Sequence, residues 1–166
     1  MSTVLLVSII STAVVYGVSV LYAAIGEIFS QRAGVMNLGL EGIMLMGAVS
    51  GYLVAVHKQN LGLAMLTVII VGAVLGLVFA FITVTLQADQ TVAGMAMLTF
   101  GTGLSGFIGK GVSGVNANLK FEPIPIPGLS EIPIIGPSLF NQDILVYAMY
   151  IIVPVAMLYI YKTRPG

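Results

Sequence analysis

The 166-residue chain is 58% hydrophobic and only 7% charged, and its net charge is zero. This composition excludes an ordinary soluble domain, and the balanced charge gives no bulk attraction to nucleic acid. The chain has no cysteine, which excludes disulfide frameworks and thiolate metal sites. Uncharged runs long enough to cross a bilayer recur along the sequence and predict a polytopic membrane protein.

Five predicted membrane spans make up most of the chain. They cover residues 4–25, 37–56, 61–86, 91–108 and 144–161. The apolar start lacks a basic n-region and a small-residue cleavage site, which favours an uncleaved first span over a signal peptide. The predicted fold class is therefore all-α, a polytopic transmembrane helical bundle of about five spans, with residues 1–166 in a single transmembrane domain.

The stretch 30–42 separates the first two spans and has an unusual composition. It places an arginine, an asparagine, a glutamate and three glycines between apolar segments. Charged side chains are costly against lipid, and glycine lets the backbone leave helical geometry. We therefore predict a broken or re-entrant segment near residues 30–42. The candidate translocation-path or broken-helix residues are Gly34, Asn37, Gly39, Glu41 and Gly42.

Two of these candidates carry side chains that can bond to freed backbone groups. Asn37 and Glu41 are expected to tie off the unwound backbone of 34–39, with contact to a solute as the second interpretation. Glu41 should face protein or the solute path rather than lipid, because a carboxylate against acyl chains is costly.

Small residues recur at helical spacing in the predicted spans. Gly47, Gly51 and Ala55 form one ridge, and Gly72, Gly76 and Ala80 form another. Such spacing allows helices to approach closely, although glycine is abundant enough here for chance to produce it. The fourth span is also rich in glycine, which fits either tight packing or a kink.

The connection 109–143 contains a proline-rich loop. Pro123, Pro125 and Pro127 alternate with isoleucine, which removes backbone donors and favours an extended chain. The interpretations are an ordered outer ledge for a partner protein or a stiff linker. Basic residues divide equally between the two sides, so the positive-inside rule does not orient the chain.

Several separated motifs together resemble one known family. The sequence of residues 32–48 reads Arg-Ala-Gly-Val-Met-Asn-Leu-Gly-Leu-Glu-Gly-Ile-Met-Leu-Met-Gly-Ala. It resembles the hallmark of permease subunits of bacterial ABC importers, in the branch that handles nucleosides and related simple sugars. Residues 83–94, 100–105 and 125–137 are similar to that branch as well, so the resemblance covers nearly the whole chain.

The resemblance implies a function, an orientation and a set of partners. The chain would form part of the path for a nucleoside or sugar in a bacterial plasma membrane, with its first residues outside and its end inside. Its partners would be an ABC ATPase subunit, a second permease subunit, an extracytoplasmic substrate-binding lipoprotein and membrane lipid, with no nucleic acid. Such permeases are about twice this long. The chain is therefore expected to be an N-terminal part that stops at 163–166, where the family's cytoplasmic coupling loop begins.

No enzymatic constellation is visible in the sequence. It contains no Gly-x-x-x-x-Gly-Lys-Ser/Thr motif, so ATP would be hydrolysed on a separate subunit. We identify no catalytic residue, cofactor or metal site, and we do not expect an enzyme. Two other hypotheses stay open. One is a self-sufficient secondary transporter or channel formed by a homo-oligomer, with Glu41 as its intramembrane carboxylate; the other is a nonfunctional permease remnant.

Overall fold

The computed structural model describes residues 3–115, 119–130 and 132–162. Within these ranges there are six α-helices and two very short strands. The helices are α1 Thr3–Arg32, α2 Leu40–Lys58, α3 Leu61–Ala80, α4 Gln90–Gly109, α5 Ile135–Leu139 and α6 Ile144–Lys162. The strands β1 Ile124–Pro125 and β2 Asn141–Gln142 pair antiparallel. Five of the helices, all but α5, are long and apolar enough to cross a membrane, so the all-α polytopic class is confirmed.

The boundary of the first predicted span needs correction. Helix α1 runs on to Arg32, past its expected end at residue 25, because its backbone stays helical through Gly26 and first becomes left-handed at Gly34. The third span runs to Thr85, close to its predicted end at residue 86, and its last turn is π-helical at Phe81–Thr85. There the Leu86 amide bonds to the Phe81 carbonyl, five residues back. The expected family loop at 163–166 lies outside the described residues.

The chain groups into two compact units, residues 1–26 with 121–166 and residues 27–120. In the first unit, the proline-rich loop is ordered by hydrogen bonds. The Tyr147 hydroxyl donates to the Ile124 carbonyl at 2.7 Å, and the Ile126 amide donates to the Phe140 carbonyl at 3.0 Å. The buried Gln142 side chain donates to the Ser11 hydroxyl of α1 at 3.2 Å. The described residues of this loop therefore make hydrogen bonds to the chain that follows them, with part of the loop in a short strand pair and α5, and a role as a ledge for a partner protein stays a prediction.

The second unit is built on α2, which packs against both α3 and α4. On the α3 side, Gly47, Gly51 and Ala55 are buried. A Cβ at Gly51 would lie 2.5 Å from the Val68 side chain, so α2 and α3 are too close at this point for any residue larger than glycine. This confirms the packing interpretation of the first ridge. A Cβ at Gly72 or Gly76 would meet no described atom within 4 Å, so packing of the second ridge stays a prediction.

On the α4 side, the contact is backbone against backbone. A Cβ at Gly101 would lie 2.5 Å from the Gly42 Cα, and a Cβ at Gly42 would lie 2.5 Å from the Met97 carbonyl oxygen. Helix α4 runs without interruption from Gln90 to Gly109. Tight packing against α2 therefore accounts for Gly101 in the fourth span.

We predict that Gly101→Ala destabilises the α2–α4 contact by about 1–3 kcal/mol, the usual effect of overpacking. The added methyl would meet backbone, which cannot move aside as a flexible side chain can. Gly103→Ala is the matched control on the same helix, because a Cβ there meets no described atom within 4 Å. Thermal unfolding of the chain in detergent, followed by circular dichroism, should show a lower midpoint for Gly101→Ala alone. Equal midpoints for the two variants would contradict the contact.

Candidate functional site

The interruption between α1 and α2 is closed on its α1 side by a Schellman motif. Gly34 has a φ of +83°, the left-handed conformation that glycine adopts readily. The Gly34 amide donates to the Gln31 carbonyl at 3.0 Å, and the Val35 amide donates to the Ser30 carbonyl at 3.1 Å. The Ser30 hydroxyl adds a bond to the Val35 carbonyl at 2.9 Å. The candidate Gly34 thus ends α1.

Asn37 ties the middle of the interruption in two directions. Its backbone amide donates to Oε1 of Glu27 at 3.0 Å, and its side-chain Oδ1 accepts from the Gly39 amide at 3.0 Å. The second bond is an Asx turn, which orders the backbone just before α2 begins. These two bonds are of the kind expected for Asn37, and its role in the site stays a prediction.

Glu27 supplies the anchor from α1. Its Oε1 accepts from the Asn37 amide and from Nε2 of Gln31, each at 3.0 Å. Its Oε2 is buried, and no described residue donates a hydrogen bond to it. Burying an acceptor in this way is tolerated only where the surrounding contacts are worth more than the lost bond.

Gln90, the first residue of α4, clamps the same segment from the other side. Its Oε1 accepts from the Met36 amide at 2.8 Å, and its Nε2 donates to the Gly34 carbonyl at 3.2 Å. One side-chain amide thereby satisfies a backbone donor and a backbone acceptor, as a neighbouring strand would.

Glu27 and Gln90 were not among the predicted site residues. Polar character near the interruption was the only available signal, since their bonds reach 10 and 54 residues along the chain.

Glu41 does not take part in this tie-off, which corrects the expectation for it. It lies in the first turn of α2 and is exposed in the chain by itself. No described residue donates a hydrogen bond to its carboxylate. Its position has a physical reason, because an acidic group in the first turn interacts favourably with the positive end of the helix dipole. That Glu41 faces protein or the solute path rather than lipid stays a prediction.

Gly39 and Gly42 belong to the α2–α4 contact. Both are buried, and a Cβ at Gly39 would lie 2.7 Å from the Met97 Cβ. Leu38 makes the reciprocal contact, since a Cβ at Gly94 would lie 2.8 Å from the Leu38 Cβ. The five predicted residues therefore lie in one region with different contacts: Gly34 and Asn37 order the interruption, Gly39 and Gly42 let α4 approach, and Glu41 is exposed.

The comparisons with known proteins give the chain its family. Residues 8–166 match the family described as branched-chain amino acid transport system / permease component. A putative glucose ABC transporter permease of Haloferax volcanii is 35% identical over 149 residues, which cover 88% of this chain and 45% of that protein.

Two relatives from bacteria are similar over comparable lengths. A guanosine ABC transporter permease of Bacillus subtilis is 35% identical over 81% of this chain and 45% of its own length. A nucleoside ABC transporter permease of Lactococcus lactis subsp. cremoris is 30% identical over 95% of this chain and 53% of its own. The chain spans about half the length of the curated relatives it matches. No solved structure matches it significantly.

We predict that Gln90→Ala loosens the interruption. It removes two hydrogen bonds to the backbone of residues 34 and 36, each worth about 1 kcal/mol net. Amide exchange in 33–39 should speed up by roughly tenfold or more, since about 1.4 kcal/mol corresponds to a factor of ten. Gln59→Ala is the control, because that side chain donates to the Val56 carbonyl at the other end of α2. Unchanged exchange in Gln90→Ala, measured by mass spectrometry, would contradict the clamp.

We also predict that position 41 is shielded from lipid in the complete permease. A charged side chain that faces lipid costs up to about 2.5–3.5 kcal/mol on insertion scales, a value that applies at the centre of a membrane helix and is an upper bound for Glu41 in the first turn of α2. A Glu41→Cys variant should react poorly with a maleimide dissolved in the lipid phase. Leu77→Cys, an exposed apolar position of α3, provides the comparison. Labelling of the two cysteines to the same extent would contradict the placement of Glu41.

The match over residues 8–166 shows that this membrane protein belongs to the family described as branched-chain amino acid transport system / permease component.

Proposed function

We propose that this chain is part of the permease subunit of an ABC importer for a nucleoside or a related sugar. The observation that carries the proposal is the match of residues 8–166 to a permease family. Its curated relatives are permeases for glucose, guanosine and nucleosides. These solutes share a hydroxyl-bearing sugar ring, which makes a neutral polyhydroxylated compound the substrate class we favour.

The composition of the chain supports a passive membrane component. Most of its length lies in five helices that can cross a membrane, and its sequence has no phosphate-binding Gly-x-x-x-x-Gly-Lys-Ser/Thr loop. Energy would therefore come from a separate ATPase subunit. The other proposed partners are a second permease subunit and an extracytoplasmic substrate-binding lipoprotein.

The proposed location is the plasma membrane of a bacterium, with the start of the chain outside. In this orientation the interruption at 33–39 and the start of α4 lie on the cytoplasmic side. The proline-rich loop lies on the outer side, where its ordered surface would border a binding protein. We further propose that residues 1–166 form one transmembrane domain.

The relatives' greater length leads to a prediction about the chain alone. The 166-residue chain should insert in a membrane, since its five apolar helices are long enough, but it should support no ATP-dependent uptake. A version extended through the second half of the permease, reconstituted with its ATPase and binding protein, should take up radiolabelled guanosine or glucose.

Two results would contradict this proposal in different ways. Uptake by the 166-residue chain with ATPase and binding protein would mean that the second half is dispensable. Uptake by the chain without any ATPase, driven by an ion gradient, would instead identify a self-sufficient secondary transporter. An ATPase variant that binds but cannot hydrolyse ATP serves as the control in both measurements.

A further inference from the structure

We infer that a cavity between the middle of α2 and the second half of α4 is a binding subsite for a neutral, hydroxylated ring compound. This inference rests on the proposed function and assigns residues to it. The cavity has a volume of about 710 Å³ and lies wholly within the unit 27–120. It is separate from the interrupted segment that the sequence singled out.

Two helix faces form the walls of the cavity. Helix α2 contributes Leu45, Ala48, Val49 and Tyr52, and helix α4 contributes Thr102, Ser105, Gly106 and Gly109. Both sets follow the spacing i, i+3, i+4, i+7, which places their members on one side of a helix. The walls are therefore continuous faces that look toward each other, and not isolated residues around an accidental gap.

The cavity is bounded at both ends. At one end, α2 and α4 touch where Gly42 meets Gly101. At the other end, the segment 112–114 after α4 lines the cavity, and the Tyr52 hydroxyl holds the chain there by donating to the Val115 carbonyl. The cavity thus lies between a tight helix contact at one end and a hydrogen-bonded segment at the other.

The hydroxyl groups on the α4 wall are set up to accept hydrogen bonds. The Thr102 hydroxyl donates to the carbonyls of Leu98 and Thr99 at 2.9 and 3.0 Å, and the Ser105 hydroxyl donates to the Thr102 carbonyl at 3.1 Å. Each hydroxyl has one proton to donate and two lone pairs. With the protons used inside the helix, the lone pairs are left for donors on a ligand, and sugar hydroxyl groups are such donors.

The opposite wall fits the apolar face of a ring. Tyr52 provides an aromatic side chain, and Leu45 and Val49 provide aliphatic surface. A few hydrogen-bonding groups placed within a largely apolar lining are typical of small-molecule sites. None of the residues that line the cavity carries a charge. This favours a neutral solute over an amino acid or a phosphorylated nucleotide, whose charges would be left without partners.

A second cavity in the same unit differs from the first in having almost no polar groups in its lining. It has a volume of about 410 Å³ and lies between the end of α3 and the start of α4, with a lining that is almost wholly apolar and includes Phe79, Val92 and Phe100. Its one carboxylate, Asp89, already accepts a hydrogen bond from the Val92 amide as the cap of α4. That cavity offers little to a hydroxylated solute.

The first test fills the cavity in the complete importer, with its ATPase and binding protein present. Gly106 lines the cavity, and a Cβ there meets no described atom within 4 Å, so Gly106→Leu starts a side chain from an open position on the cavity wall. Gly103→Leu is the matched control. It has equal room but lies about 100° around the helix from Thr102 and outside the lining. Uptake of radiolabelled guanosine and glucose by right-side-out vesicles loaded with ATP is the readout.

We expect Gly106→Leu to lower uptake by roughly tenfold or more, with Gly103→Leu close to the unaltered importer. Thr102→Val keeps the shape and removes the hydroxyl, and it should raise KM by roughly fivefold to tenfold. Normal uptake and KM in Gly106→Leu and Thr102→Val would overturn the subsite while leaving the proposed function intact. An equal loss in Gly103→Leu would also overturn it. If the unaltered importer carries neither solute, the proposed function fails, and the inference fails with it.

The second test does not depend on transport. The 166-residue chain has no cysteine, so Ser105→Cys is a single probe in a permease freed of cysteine elsewhere. A water-soluble maleimide should label it, and guanosine or glucose at saturating concentration should slow the labelling several-fold. Gly103→Cys should show no such protection. Equal labelling rates of Ser105→Cys with and without both solutes would overturn the inference.

Discussion

The described unit 27–120 depends on one contact, the place where α2 and α4 meet without side chains between them. Gly42 and Gly101 bring the two backbones together, and Gly94 accommodates Leu38 close by. Glycine allows this approach because it has no Cβ, and van der Waals contact between helices in a membrane rewards it. The contact joins the first turn of α2 to the middle of α4, so it fixes how these two helices are aligned along their lengths.

The order of the interruption follows from that contact. Because α4 starts beside residues 34–39, the side chain of its first residue, Gln90, reaches the backbone of Gly34 and Met36. Glu27 reaches Asn37 from the α1 side. Non-helical backbone close to a membrane needs such partners, since lipid offers none. The interrupted segment is therefore held by side chains of α1 and α4 and is not an independent loop.

The sequence predicted the elements of this fold better than their contacts. Five spans could be recognised from apolar length, and Gly34 and Asn37 from residues that favour a break in a helix. The contributions of Glu27 and Gln90 could not be recognised, because nothing local shows that Glu27 reaches residue 37 or that α4 starts beside residues 34–36. The exposed position of Glu41 shows the same limit. The cost of placing a carboxylate against lipid predicted a hydrogen-bond partner for Glu41, but no described residue donates a hydrogen bond to it. Periodicity likewise outlines a face of α2 and a face of α4, but it does not show that they look at each other.

The two polar regions of the unit 27–120 differ in what they have left to offer a solute. In the interruption, the Asn37 oxygen and both ends of the Gln90 amide are already bonded to backbone. A solute that took those groups would have to break the bonds that order the chain, at a cost of about 1 kcal/mol or more for each. On the cavity wall, the Thr102 and Ser105 hydroxyls are oriented by their own helix and keep free lone pairs. This difference supports the proposed subsite in the cavity, and it is consistent with a structural role for the hydrogen bonds of the interruption.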